Sequence, residues 1–259
     1  MKASIQLFLI LAVMGLTHAC TKEEVIVQYS SIQADFERMG SADELLQSPH
    51  NWESYGISRA VNRAAIVSDT FYSGNAAIRF HAETNQPNGV SSSALNSNEN
   101  LFLREEMVFS IDCRIMIPSY SSPNNLDIMR LEANPSADGP SGVSFFLDED
   151  GALSLDRSAM GPSNIHQEVG TKNAFPTNQW VHMHIDYLAD ARSRGYVKIW
   201  QDEVLVLEAL STETMPKAKL HLSEKGKNYF SKLSFGILSN GSGLPTTLFW
   251  DDFSVWSWG

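Results

Sequence analysis

The sequence predicts an all-β protein, an antiparallel jelly-roll β-sandwich. Three features predict it. Apolar residues alternate with polar ones along several stretches, short polar or glycine-containing turns separate those stretches, and helical periodicity is nearly absent. Ala42 to Gln47 is the one candidate helical turn, with Ser41 before it as a candidate cap. Met107 to Ile117 carries an apolar residue at every odd position, the mark of a strand with one buried face, and Pro118 ends it. Val143–Leu147 and Ala152–Leu155 flank Asp148-Glu149-Asp150-Gly151 and read as a hairpin. Trp180–Leu188 and Gly195–Trp200 form a second hairpin across residues 189–194. Val204–Leu207 continues the meander after Gln201-Asp202-Glu203. Tyr229–Leu238 and Thr247–Trp256 close the chain around a loop at Asn240-Gly241-Ser242-Gly243.

The amino terminus supplies the address. Lys2 precedes the apolar run Leu7–Met14, which has the length of a signal-peptide core and is too short to span a bilayer. Ala19 and Cys20 follow, then Thr21-Lys22-Glu23-Glu24. This stretch resembles the lipobox of bacterial lipoproteins, although Thr17 and His18 depart from the usual small or apolar pair. The resemblance implies a signal peptide over residues 1–19, lipidation of Cys20 and a tether over residues 20–33. Acyl chains at Cys20 would make the membrane a partner. The tag after the cysteine resembles an export signal to the cell-exterior face of the outer membrane. Cys113 is the only other cysteine, so a lipidated Cys20 leaves no disulfide.

Residues 34–259 are expected to form the folded domain, within the usual length of a single β-sandwich. The net charge of −11 and the lack of a basic stripe argue against nucleic acid as a partner.

Five segments in order carry a further resemblance: Asp35-Phe36-Glu37, Tyr72 to Phe80, Trp180 to Ile185, Gly195 to Asp202, and Phe249 to Val255. Their succession is similar to the concanavalin A-like lectin/glucanase superfamily, which includes laminin G-like domains and jelly-roll polysaccharide lyases. The resemblance implies a structural Ca²⁺ where the first and last strands meet, held by Asp35, Glu37, Asp251 and Asp252. If Phe253 and Val255 face the core, Asp251 shares that side and Asp252 points away, so one of these two, not both, should be a ligand. The alternative is that these carboxylates cap strand ends or pair with Arg79.

A second group lies on the polar sides of the strands. Asp112 and Arg114 oppose the apolar side of one strand. His182, His184 and Asp186 share a face of the next. Tyr196, Lys198 and Trp200 share a face of the third, and Arg130 and Glu132 are candidates to join from another. On one concave sheet these residues would make a glycan groove with an aromatic platform. Otherwise, half of them would cover the solvent face of the other sheet. For catalysis, Arg130 or Arg114 could neutralise a uronate, with His182 or His184 and Tyr196 moving protons. The Glu-x-Asp-x-x-Glu motif of the superfamily's glucanases is absent. His182 and His184, with Asp186, are also candidates for a transition metal. The resulting expectation is a surface lipoprotein that captures polysaccharide or oligosaccharide, with a surface protein complex as a further candidate partner. The alternatives are a polysaccharide lyase or glycoside hydrolase, or a structural or adhesive surface protein.

Overall fold

The computed structural model describes residues 28–34, 36–47, 52–97, 103–136, 139–157, 163–168, 170–214 and 229–258. The expected signal peptide, Cys20, most of the expected tether and Asp35 lie outside these residues. No helix among the described residues is long and apolar enough to cross a membrane.

The chain is a jelly-roll sandwich of two antiparallel sheets. Its strands, in chain order, are β1 (Gln28–Ala34), β2 (Trp52–Tyr55), β3 (Arg63–Val67), β4 (Ala77–Ala82), β5 (Ser93–Ser97), β6 (Leu103–Arg104), β7 (Val108–Met116), β8 (Leu126–Ser136), β9 (Gly139–Leu147), β10 (Leu153–Asp156), β11 (Trp180–Leu188), β12 (Gly195–Gln201), β13 (Val204–Thr212), β14 (Tyr229–Asn240) and β15 (Thr246–Trp258). Sheet I runs β13-β12-β11-β7-β15-β4-β3, with β1 also on β15. Sheet II runs β10-β9-β8-β14-β5-β2, with β6 also on β14. A 3₁₀ turn at Ala42–Leu46 is the expected helical turn, but Ser41 makes no side-chain cap there. Strand β1 begins inside the expected tether and pairs along the end of β15.

The alternation read in the sequence sets the faces. Phe109, Ile111, Cys113 and Ile115 of β7 and Val181, Met183, Ile185 and Tyr187 of β11 are all fully buried. They meet Phe145 of β9 and Leu131 of β8, and Phe230, Leu233 and Phe235 of β14, in one core between the sheets. Aromatic rings join the layers. Phe235 of sheet II stacks on Phe253 of sheet I at 4.3 Å and contacts Phe80 and Trp250. Phe109 stacks on Tyr187 at 4.7 Å, and both rings meet Phe230 from the opposite sheet. Cys113 is a free thiol inside this core, and burial pushes its pKa up, as expected of an inert structural cysteine. Gly236 lies on central strand β14 with φ +128°, where a Cβ would sit 2.7 Å from the Ser93 carbonyl oxygen. Only glycine fits this close strand approach.

Candidate functional site on the outer faces of the two sheets

The residues expected in one groove are divided between the two outer faces. Asp112, Arg114, His182, His184, Asp186, Tyr196, Lys198 and Trp200 belong to β7, β11 and β12 of sheet I, where cross-strand register sets His182 opposite Arg114, His184 opposite both Asp112 and Trp200, and Asp186 opposite Lys198. Arg130 belongs to β8 in sheet II. The two faces are separated by the whole core, since stacked sheets lie roughly 10 Å apart. The set of Arg130, His182, His184 and Tyr196 therefore cannot act together on one sugar. The alternative left open by the sequence, that part of the set lies on the other sheet, holds for Arg130 and Glu132, while Arg114 shares sheet I with the two histidines and Tyr196.

On sheet I the polar side chains are bound to one another. The Asp112 carboxylate bridges the histidines, with Oδ1 2.7 Å from His182 Nε2 and Oδ2 2.8 Å from His184 Nδ1. The other ring nitrogens face Glu203 at 2.8 Å and Asp186 at 3.2 Å. Ser110 donates its hydroxyl to Asp186, and Lys198 pairs with Glu208 at 2.9 Å. Burial acts to raise the Asp112 pKa, but the hydrogen bonds and charge of His184 and His182 outweigh it and hold it below the ordinary value. The bond to Asp112, aided by Asp186, holds His184 above its own ordinary value against the effect of burial. Both ring nitrogens of each histidine are engaged by carboxylates, so neither ring presents an unoccupied nitrogen to a metal or a substrate. Burial, with Asp186 adding, raises Tyr196. Trp200 leans on His184 at 5.2 Å, while the Arg114 guanidinium lies 4.4 Å over Tyr72, which meets Trp180 edge-on. Among the described residues, no group of three or more His, Cys, Asp or Glu is placed to hold a metal ion.

The described members of the expected calcium set converge on the 72–75 loop. Asp251 is 2 % exposed; its Oδ2 accepts the Tyr72 and Ser73 backbone N–H groups at 2.8 and 3.1 Å, and its Oδ1 accepts that of Asp252 at 2.8 Å. Burial raises the Asp251 pKa above the ordinary value, and these donors oppose the rise. Glu37 accepts the Asn75 N–H, and Asp252 accepts the Ser73 hydroxyl at 2.7 Å. A β-bulge between Asp251 and Ser254 breaks the alternation, so Asp251 lies opposite the outward Arg114 instead of sharing the core side of Phe253 and Val255, and exposed Asp252 takes φ +47°. N–H donors surround Asp251 where a calcium ion needs oxygen ligands, so these residues fit a hydrogen-bonded turn better than a cation shell.

Sheet II carries a different arrangement. Asp156 of β10, Ser144 of β9, Arg130 of β8, Ser234 of β14, Asn96 of β5 and Ser54 of β2 follow one another in register across six strands. Their strand neighbours Leu131, Phe145, Leu233 and Leu95 enter the core, so this row faces outward. Arg130 donates Nε to Ser144 Oγ and Nη2 to Asp127 Oδ2, each at 2.7 Å. Ser234 donates to Asn96 Oδ1 at 2.7 Å, and Asn96 donates to Ser54 at 3.2 Å. Lys232 and Glu132 lie opposite each other in the next row. Asp127 has 13 % of its side chain exposed, and its Oδ1 is buried without a partner among the described residues. Burial, with Asp156 adding, raises its pKa to about 6, although Arg130 opposes the rise. A carboxyl so perturbed next to an arginine is the kind of pair found at functional sites.

The sequence reading missed Asp127, Ser144, Ser234, Asn96 and Ser54. Asp127 and Arg130 are three apart, which in a regular strand puts them on opposite faces. A bulge between Asp127 and Met129 brings both to the outer face. Serines and asparagines scattered on strands remote in sequence gave no local signal.

No protein-family model matches the sequence, nor does any curated protein. Solved structures do. An endo-β-1,4-glucuronan lyase from the fungus Trichoderma reesei is similar at a TM-score of 0.63 and 14 % identity, over 88 % of this chain and 95 % of that one. The alginate lyase Aly36B is similar at a TM-score of 0.55 and 10 % identity, over 88 % and 97 %. Cellulose induced protein, Cip1, is similar at 0.56 and 12 %, over 79 % and 90 %. At these identities the likeness establishes the shared jelly-roll fold.

Proposed function

We propose that the protein binds an acidic polysaccharide along the outer face of sheet II and cleaves it by β-elimination. The observation that carries the reading is the polar row from Asp156 to Ser54 with Arg130 near its middle. An extended saccharide presents hydroxyls on successive rings, and the row offers hydroxyl and amide partners spaced across the strands. The guanidinium of Arg130 keeps outward N–H groups beyond those bound to Ser144 and Asp127, and these suit a uronate carboxylate. Neutralising that carboxylate acidifies the adjacent C5–H. A base removes this proton, the C4–O bond breaks, the C4=C5 double bond forms, and the leaving oxygen is protonated. Lys232 lies one row from Arg130, close enough to share the same sugar's charge. Tyr229, next to core residue Phe230, lies on the outward side with a phenol suited to moving the proton. Two of the similar structures are lyases of glucuronan and alginate, which supports elimination as the chemistry.

Capture without cleavage is the second reading. It is favoured because Ser54, Asn96, Ser144 and Ser234, most of the row, can bind a sugar but are poor proton carriers. Lipidation of Cys20 would place either activity at the outer face of the outer membrane. Incubating residues 28–259 with uronate polysaccharides tests both readings. New ultraviolet absorbance from unsaturated ends is expected. Retention on the polysaccharide without new absorbance would leave capture alone, and the absence of both retention and new absorbance would overturn the proposal.

A further inference from the structure

The geometry points to Asp127 as a positioning residue that couples binding of an anionic saccharide at Arg130 to uptake of a proton. This rests on the assignment of sheet II as the saccharide face. Asp127 Oδ2 accepts from Arg130 Nη2, while its Oδ1 is buried with no hydrogen-bond partner among the described residues. The charged groups that meet Asp127 are Arg130 on its own strand and Asp156 on β10. Ser144 and Phe146 of β9 and Ser239 of β14, which also adjoin it, carry no charge. A uronate carboxylate on the outward N–H groups of Arg130 puts a second anion beside Asp127. Two carboxylates sharing one cation at close range cannot both stay ionised without cost. Asp127 has 13 % of its side chain exposed, its Oδ1 has no hydrogen-bond partner among the described residues, and burial already lifts its pKa to about 6, so it takes the proton. A neutral saccharide supplies no second anion and leaves Asp127 ionised on Arg130. Arg130 thus selects acidic over neutral chains, and Asp127 makes that preference strengthen as pH falls toward 6.

The test is rapid mixing of the folded domain with a uronate tetrasaccharide in weakly buffered solution containing a pH indicator, at pH 7. Elimination itself moves one proton from C5 to the leaving oxygen and changes no net proton count, so the indicator reads binding alone. Uptake approaching one proton per bound saccharide is expected, with none for the same saccharide after its carboxyls are methyl-esterified. Affinity should rise by up to tenfold per unit fall in pH between 7 and 6. Asp127→Asn should abolish uptake and flatten that dependence, whereas a purely structural Asp127 would weaken binding and leave its pH dependence intact. Binding of the acidic saccharide by the wild-type protein without uptake overturns this inference while sparing the assignment of the face. Uptake that persists in Asp127→Asn also overturns it. Failure to bind any acidic saccharide overturns both. The wild-type measurement is decisive even where the variant does not fold.

Discussion

Replacing Asp127 with asparagine should make the protein more stable at neutral pH and leave it unchanged in acid. The folded-state pKa is raised to about 6 from an ordinary 3.8, chiefly by burial. Between those values the native protein holds a proton that the unfolded chain has lost. Stability changes with pH in proportion to protons bound unfolded minus protons bound folded, so it falls as pH rises from about 4 to about 6. At about 1.4 kcal/mol for each pH unit separating the two values, the cost at pH 7 is about 3 kcal/mol. Asparagine resembles the protonated carboxyl at every pH and avoids that cost. For a domain of this size, the gain at pH 7 amounts to roughly 6–12 °C in melting temperature, and it vanishes below about pH 4. Urea unfolding of both proteins from pH 3.5 to 8 measures the difference directly. Parallel pH profiles, or an asparagine variant weaker at pH 7, would refute the assignment of Asp127 as a buried carboxyl ionised against its environment.

Three other outcomes are expected. The Asp112 chain on sheet I stabilises most between the ordinary values of 3.8 and 6.5. The depressed Asp112 loses its contribution as pH falls through its folded pKa, and the raised His184 loses its own as pH rises through its folded pKa. Asp112→Asn should therefore cost about 1–3 kcal/mol at pH 5.5 and less at pH 9, and a pH-independent loss would count against the chain. Phe235→Ala removes a fully buried ring that contacts Trp52, Phe80, Trp250 and Phe253, and should cost about 3–5 kcal/mol in denaturant unfolding. A loss under about 1 kcal/mol would mean the two sheets do not pack through it. Melting in excess calcium and in chelator should give equal temperatures, because backbone N–H groups already satisfy Asp251. A clear rise in calcium that Asp251→Asn removes would restore the ion.

Local patterns in the sequence were enough to locate most of the strands. The odd-position apolar run of β7 and the matching runs of β11 and β12 needed nothing beyond alternation, and their buried and outward faces follow from it residue by residue. The Asp148–Gly151 turn was legible for the same reason, whereas the direction of Asp251 was not, because a bulge before Ser254 sets it opposite the outward Arg114. Partnering was not. Period two says which side of a strand Arg130 occupies, but β8 joins β9 and β14 through long-range pairing that no local pattern encodes. The short strands β2 and β5 and the two-residue β6 are too brief to show a period. β1 was hidden because its polar sequence QYSSIQA reads as linker until β15 supplies a partner. The Asp127–Arg130 contact depends on a bulge, a one-residue insertion visible only once the register is known.

The most direct test of the assignment of sheet II is to compare Arg130→Gln with the double variant His182→Ala, His184→Ala in binding and turnover of the same acidic polysaccharide. Loss of Arg130 should weaken binding on the order of 100-fold, because it removes the uronate's partner and strands Asp127. The histidine variant should act like the wild type, since its residues lie on the opposite face. An Arg130→Gln protein that binds normally, beside a histidine variant that does not, would move the saccharide to sheet I and contradict the account.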